Sequence, residues 1–431
     1  MRPGDWESIF GRLQELVMAN SGEDEFEEIF KLVVAKLFSE IHPTSANSFS
    51  VRSSSVETAQ SINDILAQAT NRWKGLLFNQ PISLLTDEHL TICVKALQSH
   101  SLLDTHLEVL DGAFEYLVSQ TAKGAKGQYF TPRHVIDCCV QILNPSPTDV
   151  IIDPACGSAG FLIHVLNYIR QNYPEISLDQ YCQKSLWGCD FSRRAIQVAK
   201  TLMLISGNEY ANLFQLNSLL KPNKNLSIFP DDGNDGAASC LTIEDLTRSK
   251  FRNFKGFDIV LTNPPFAGEI QEKNILNSYS LYKPKRRLER DILFLERCVH
   301  LLRIGGRLAI VLPHNKLGSA TWAYVREWLI RQLRIVAVLG LGRNTFLPHT
   351  HQKACILFGV KREQPLRTSP NEDILFLISD KDGKDSKGQI IARPNTQLED
   401  PAWLRVDHDL GELVSKFHYF IQSSGINWGN S

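Results

Sequence analysis

The stretch IIDPACGSAGFL, Ile151 to Leu162, decides the fold. Ile151 and Ile152 are β-branched and apolar, as in a short buried strand. The run stops at Asp153, turns through Gly157 and Gly160, and continues as GFLIHVLNYIRQNY, whose apolar spacing is helical. Strand, glycine-containing turn and helix in that order make the first half of a βαβ unit. The turn is not a P-loop, because the Gly-Lys-Ser/Thr ending is missing, and it is not GxGxxG.

The same alternation extends to both sides of this stretch. Seven short β-rich runs follow one another: DVIID to Asp153, SLWGCD to Asp190, LFQLNS to Ser218, FDIVLTN to Asn263, GRLAIVLP to Pro313, RIVAVLGL to Leu341 and ACILFGV to Val360. Helix-like segments separate most of them, which predicts a parallel sheet with helices on both faces. Ligands of such sheets sit at the carboxyl ends of the strands. Asp153, Asp190, Asn217 and Asn263 are therefore expected on one rim. Two long connections flank the fourth strand, residues 221–250 and 267–290, and connections of that length are commonly functional. Beyond Val360 there is one more strand candidate, DILFLISD, and a polar turn, KDGKDSKG. Before residue 120 the texture is helical. FEEIFKLVVAKLFSEI places Phe26, Ile29, Phe30, Val33, Leu37 and Ile41 on one face. The expected domains are a helical domain over 1–120, a catalytic domain over 121–362 and an extension over 363–431.

Composition narrows the class. Hydrophobic residues make up 43% and charged residues 22% of 431, ordinary for a globular protein. No apolar run approaches the roughly 18 residues of a membrane span, and the N-terminus lacks a signal peptide's apolar stretch. The nine cysteines show no C-x-x-C pair, which argues against a zinc site or a disulfide framework and suits a reducing cytosol. A net charge of −1 means that any nucleic-acid surface is a local patch.

The glycine turn carries no lysine or arginine to meet a phosphate, and an acid stands at its mouth. A cofactor with positive charge and no phosphate suits it, and S-adenosylmethionine has both properties. Asp190, ending the second strand, is placed to accept ribose hydroxyls, and Phe191 to lie on an adenine ring. The same glycines also suit close helix packing, with Asp153 as a helix N-terminal acid. The loop Asn263-Pro264-Pro265-Phe266 offers a side-chain carbonyl and a backbone carbonyl held by prolines of fixed φ. Two such acceptors would favour the pyramidal, nucleophilic form of an aromatic amine and stabilise its developing positive charge. Phe266 offers a face on which an extruded base can stack.

GQYFTPRHVIDCCVQIL, DPACGSAGFL, GCDFSRRAIQVAKTLMLISG, FDIVLTNPPF and LLRIGGRLAIVLPHNKL resemble, in order, the motifs of N6-adenine DNA methyltransferases. They are most similar to the modification subunits of type I restriction-modification systems, over about Gly124 to Val360. The resemblance implies a Rossmann-like S-adenosylmethionine-dependent methyltransferase fold, an α/β protein with a seven-stranded, mostly parallel sheet behind an N-terminal helical domain. It implies that Tyr129, Phe130, Thr131 and Pro132 flank the methionine part of the cofactor. Asp153, Ala155, Gly157, Ser158 and Gly160 would line it, with Asp190 on the ribose. Asn263, Pro264 and Phe266 would hold the target adenine. The sequence departs from the common pattern at Ser158 and Ala159, and at Asn217, where an aspartate usually bonds the cofactor's adenine amino group. The Asn217 carbonyl can still accept that bond, without charge assistance.

The basic stretch YKPKRRLER places Lys283, Lys285, Arg286, Arg287 and Arg290 after the catalytic loop, either to meet DNA phosphates or as a solvated face. His349 and His351 lack a neighbouring carboxylate and predict a loop or DNA contact, so no metal site is expected. The extension after Val360 is expected to be too small for a target-recognition domain. By resemblance, double-stranded DNA and a separate specificity subunit, and possibly a restriction subunit, are the expected partners. A solitary methylase is the alternative. A protein glutamine amide or an RNA base remains open as the acceptor, because the same loop serves either. A cofactor-binding module without turnover is the third reading.

Overall fold

The computed structural model describes residues 5–20, 23–45, 47–77, 82–121, 130–209, 211–222, 241–266, 268–283, 288–397 and 402–429. The chain divides into two compact units, 1–125 with 197–209, and 126–196 with 210–431. The first is helical throughout its described residues: Asp5–Asn20, Glu25–Ile41, Ser55–Arg72, Asp87–Leu97 and Leu107–Thr121, with the end of a further helix, Arg193–Ile205. Side-chain caps start three of these helices. Asp24 accepts from Glu27 N, Ser54 from Glu57 N and Thr86 from His89 N, each satisfying a backbone donor that the first turn leaves without a partner. The helix Glu25–Ile41 is buried on more than the one face that its periodicity suggests. Leu32, Val34 and Ala35 join Phe26, Ile29, Phe30, Val33 and Leu37 in the core, while Ile41 is half-buried. Lys31 and Lys36 are buried with them, and each keeps a carboxylate from its own helix: Glu28 at 2.6 Å and Glu40 at 3.1 Å. A buried ammonium without such a partner would carry the full cost of desolvation.

The second unit is built on one sheet of eight strands: β1 Ile151–Asp153, β2 Leu186–Asp190, β3 Asn212–Gln215, β4 Phe257–Thr262, β5 Leu302–Pro313, β6 Leu333–Gly340, β7 Ala354–Lys361 and β8 Leu375–Ile378. Their order is β3-β2-β1-β4-β5-β7-β6-β8. The first five positions are parallel, β7 runs antiparallel between β5 and β6, and β8 is parallel to β6. The expected seven strands become eight, because the candidate DILFLISD pairs with β6 from Ala337↔Leu375 to Gly340↔Ile378. Its alternating side chains leave Phe376 and Ile378 exposed and Leu377 buried, the burial of an edge strand covered on one face.

The chain leaves β1 in one direction along the sheet to β2 and β3, then crosses back to β4 and β5 on the other side of β1. The strand order therefore reverses between β1 and β4, and a crevice opens at such a switch point, outside the carboxyl ends of the strands. Close packing maintains the β1–β2–β3 side. A Cβ on Gly188, in the middle of β2, would stand 2.6 Å from Leu213 Cδ2 and 2.8 Å from Leu162 Cδ1, so no side chain fits between strand and helix.

The residues after β7 pack onto the same unit. Trp428 Nε1 donates to Ile142 O at 2.7 Å, and Phe417 is fully buried. Arg307 in β5, 5% exposed, donates to Asp149 Oδ2 and Leu143 O, both at 2.6 Å, and to Trp428 O at 3.3 Å. One guanidinium thus joins the sheet, the entry to β1 and the C-terminal segment. Arg307→Met removes the donors and leaves Asp149 buried without its charge partner. Urea unfolding is expected to show a loss of about 3–5 kcal/mol.

Candidate active site

The carboxyl ends of β1 and β4 carry the central residues. Pairing in the register Ile151↔Ile259 and Ile152↔Val260 brings the end of β1 beside the end of β4. Asp153 is 1% exposed, and its Oδ1 accepts from two donors: Ala155 N at 3.0 Å and the fully buried Thr262 Oγ1 at 2.6 Å. The first bond closes the turn after β1, and the second crosses the switch point. Burial outweighs both donors and raises the Asp153 carboxyl to about 7, with a smaller contribution from the nearby Asp190.

Asp190 ends β2 and is also buried. Its Oδ2 accepts from Gly157 N at 3.0 Å and its Oδ1 from Ser192 N at 2.8 Å. Burial raises its pKa, while its bonds to backbone N–H groups lower it. Cys156 N donates to Cys189 O at 3.0 Å, so the turn is fastened to β2 by backbone and side chain together. Gly157 holds φ +53°, and a Cβ there would meet no atom within 4 Å, so the face of the turn is open. Ala159 holds φ +67°, a left-handed conformation that costs a non-glycine residue roughly 1–2 kcal/mol. Phe191 follows Asp190 with 77% of its surface exposed, a large aromatic ring left on the rim.

Asn263 is half-buried immediately after β4, and its Nδ2 donates to Thr131 Oγ1 at 2.9 Å. This bond joins the segment before helix Arg133–Leu143 to the asparagine loop. Pro264 is buried and Pro265 half-buried. The Phe266 ring, 3% exposed, meets the buried Phe346 edge-on, with centroids 5.9 Å apart and planes at 71°. A base can reach its face only when neighbouring side chains move. Asn217 follows β3, half-buried, and its Oδ1 accepts from Leu219 N at 3.1 Å. Phe130, Thr131, Pro132 and Ala155 are half-buried, and Ser158 is buried.

The structure therefore gathers Thr131, Asp153, Ala155, Gly157, Asp190, Thr262 and Asn263 through direct bonds. Tyr129, Lys285, Arg286 and Arg287 lie outside the described residues, and Lys283 is exposed. Thr262, Arg133 and Phe346 join the site without a role given to them by any sequence motif. Thr262 was signalled only by its place beside Asn263 on a strand neighbouring β1. Arg133 follows the FTP segment and lies over Gly160, where an added Cβ would be 3.0 Å from its Nη1. This guanidinium supplies positive charge near the N-terminus of helix Gly160–Asn172, although the turn itself has none.

The profile of the N-6 DNA methylase family matches residues 105–400, more than half of the chain. The chain belongs to that family. Over 255 residues it is 27% identical to the methylase subunit of the EcoEI type I restriction enzyme of Escherichia coli, covering 59% of this chain and 45% of the relative. It is 31% identical over 270 residues to the StySPI methylase subunit of Salmonella potsdam, covering 62% and 45%. This member of the N-6 DNA methylase family thus spans about half the length of the curated relatives it matches. Its fold is similar to that of the methyltransferase subunit of a type I restriction-modification system from Streptococcus thermophilus, with a TM-score of 0.59 at 16% identity over 97% of this chain and 94% of the other. No helix among the described residues is long and apolar enough to cross a membrane.

The geometry of the two strand ends singles out Asp153. A carboxyl raised in the folded state stabilises the fold below its unfolded pKa, and that contribution is lost as pH rises through about 7. Asp153→Asn carries no such charge. Between pH 5.5 and 8.5 the wild type is expected to lose about 2 kcal/mol relative to this variant in paired urea titrations. Parallel profiles would show that Asp153 is already ionised in the folded chain at the lower pH.

Proposed function

We propose that the chain transfers a methyl group from S-adenosylmethionine to N6 of adenine in DNA, as the modification subunit of a type I-like restriction-modification system. The observation that carries this reading is the 2.6 Å bond from Thr262 to Asp153. It ties the strand end that leads into Asn263 to a buried acid at the strand-order switch point.

The residues present fit the cofactor. Two buried acids, Asp153 and Asp190, suit a ligand bearing an ammonium and a sulfonium, and a bound cation would favour their ionised forms. The open face of Gly157 allows close approach. The Asp190 carboxylate would keep acceptor capacity beyond its backbone bonds for ribose hydroxyls. Phe191 would lie on the adenine ring, with Asn217 at its edge. When bound, S-adenosylmethionine supplies the electrophilic methyl group.

The chain's own part is to make a poor nucleophile a better one. The amino nitrogen of adenine shares its lone pair with the ring. Asn263 Oδ1 and Pro264 O, both acceptors, would take its two hydrogens and draw the nitrogen toward a pyramidal form. They also stabilise positive charge as the new bond forms. Pro264 and Pro265 fix φ on either side of the second acceptor. Phe266 would stack the extruded base once Phe346 yields. The exposed Lys283, with Lys285, Arg286 and Arg287, would meet DNA phosphates. A specificity subunit would supply sequence recognition, by analogy with systems whose methylase subunits this chain matches.

Labelled S-adenosylmethionine offered with duplex DNA, RNA and protein tests the reading, with the chain alone and co-expressed with the products of adjacent genes. Label recovered as N6-methyladenine in DNA is expected, and label confined to RNA or protein contradicts it. Asn263→Ala is expected to lower transfer by about 100-fold or more, while S-adenosylhomocysteine binding by calorimetry stays close to wild type.

A further inference from the structure

The stretch LLRIGGRLAIVLPHNKL carries a lysine to which the methyl-transfer reading gives no role. β5 runs parallel to β4, with Thr262 opposite Ile310, and continues to Pro313. Helix His314–Gly318 follows at once. Lys316 therefore stands just past the carboxyl end of β5, the neighbour of the strand that leads into Asn263. Lysine is almost never fully buried unless it is paired, and Lys316 is 1% exposed.

Its ammonium donates to Glu289 Oε2 at 2.6 Å, lies 3.4 Å from Asp291 Oδ2 and stands 4.2 Å from the centroid of the Trp322 ring. An ammonium has donors only, so the sense of these contacts is fixed. The two acids differ. Asp291 is fully buried at the start of helix Arg290–Leu301, and its Oδ1 accepts from Ile292 N at 2.8 Å. It answers the buried charge from the helix side. The Glu289 side chain is 41% exposed, and its backbone leads toward the catalytic loop. Glu289 forms an antiparallel bridge with Glu269, and Arg290 N donates to Gly268 O at 3.0 Å. Gly268 and Glu269 are the second and third residues after Phe266. Gly268 holds φ +102°, and a Cβ there would stand 2.9 Å from Arg290 Nη2. The exit of the loop is thus paired to a segment that Lys316 grips by its carboxylate.

We propose that Lys316 is a positioning residue for methyl transfer: it holds Glu289 and, through the backbone pairing of Glu289 and Arg290 with Gly268 and Glu269, fixes the exit of the Asn263-Pro264-Pro265-Phe266 loop. The inference rests on reading that loop as the holder of the target amine. β4 sets the entry of the loop, and the Lys316 tether sets its other end, so that Pro264 O and the Phe266 ring keep one place relative to the amine. An apolar side chain of similar length would fill the Lys316 position without the cost of desolvating charge. What the ion pair adds is a defined position for Glu289. The acids of the cofactor turn, Asp153 and Asp190, stand on other strands. Loss of the tether therefore falls on turnover and leaves cofactor affinity in place.

The test uses the full chain, alone and co-expressed with the products of adjacent genes, with tritiated S-adenosylmethionine at saturation and unmethylated duplex genomic DNA. Cofactor Kd is measured by calorimetry with S-adenosylhomocysteine, and urea titration sets a temperature at which each variant is folded. Glu289→Ala removes a partly exposed carboxylate and keeps the backbone. It is expected to lower kcat by about 10-fold, with Kd changed less than about 3-fold. Lys316→Met is expected to lower kcat by roughly 10- to 100-fold, and the double variant no further than Lys316→Met alone, because the two side chains act as one tether. Asp291→Asn removes the other acid and keeps the tether, so kcat should stay within about 3-fold of wild type. Three results overturn the inference: a wild-type kcat in Glu289→Ala, losses that multiply in the double variant, or a loss that tracks Kd or is reproduced by Asp291→Asn. If Lys316→Met does not fold, Glu289→Ala decides alone. A wild type that methylates no DNA defeats the underlying reading and the inference with it. Failure confined to the variants' pattern defeats the inference alone.

Discussion

The Thr262 hydroxyl donates to a carboxylate that water hardly reaches, and the site is organised around that bond. It exists because β1 and β4 are parallel neighbours although about a hundred residues of chain lie between them. The side chains at the two strand ends then meet, one acidic and one hydroxylic. Asp153 closes its own turn through Ala155 and reaches across to β4 with the same oxygen. A shift of one residue in the β1–β4 register would turn Thr262 to the other face of the sheet and separate the two loops.

Charge is the second constraint. Asp153 and Asp190 lie in one buried turn region with a free thiol, Cys156, between them in sequence, and burial raises all three above their usual pKa values. Buried acids that repel each other cost stability unless something positive answers them. A cationic ligand at this turn would relieve that cost on binding. Arg133 stands near Gly160, on the side of the FTP segment. The arrangement suits a ligand with a cationic centre and a carboxylate, as methionine-derived cofactors have.

Much of the frame was legible in the sequence, for physical reasons that can be named. The short apolar runs ending in Asp153, Asp190 and Asn263 announced strands whose polar ends share a rim, and the bond from Thr262 to Asp153 joins the ends of two of them. The eighth strand was visible as DILFLISD, but its place beside β6 was not, because pairing partners depend on the whole topology. The burial of helix Glu25–Ile41 beyond one face was hidden by Lys31 and Lys36, which read as solvent-facing until their carboxylate partners are seen. The bond between Thr131 and Asn263 spans too many residues for any local pattern to show. The burial of Phe266 beneath Phe346 likewise arises from a loop after β6, far along the chain.

The proposed function requires that the crevice between β1 and β4 hold the methyl donor with its reactive centre toward Asn263. A crystal structure of the chain with S-adenosylhomocysteine would show where the ligand binds. It should show the ribose hydroxyls on the Asp190 carboxylate, the amino-acid part over the Gly157 turn, and the sulfur directed at the Asn263 loop. Density for the ligand outside this crevice, or a sulfur directed away from Asn263, would contradict it.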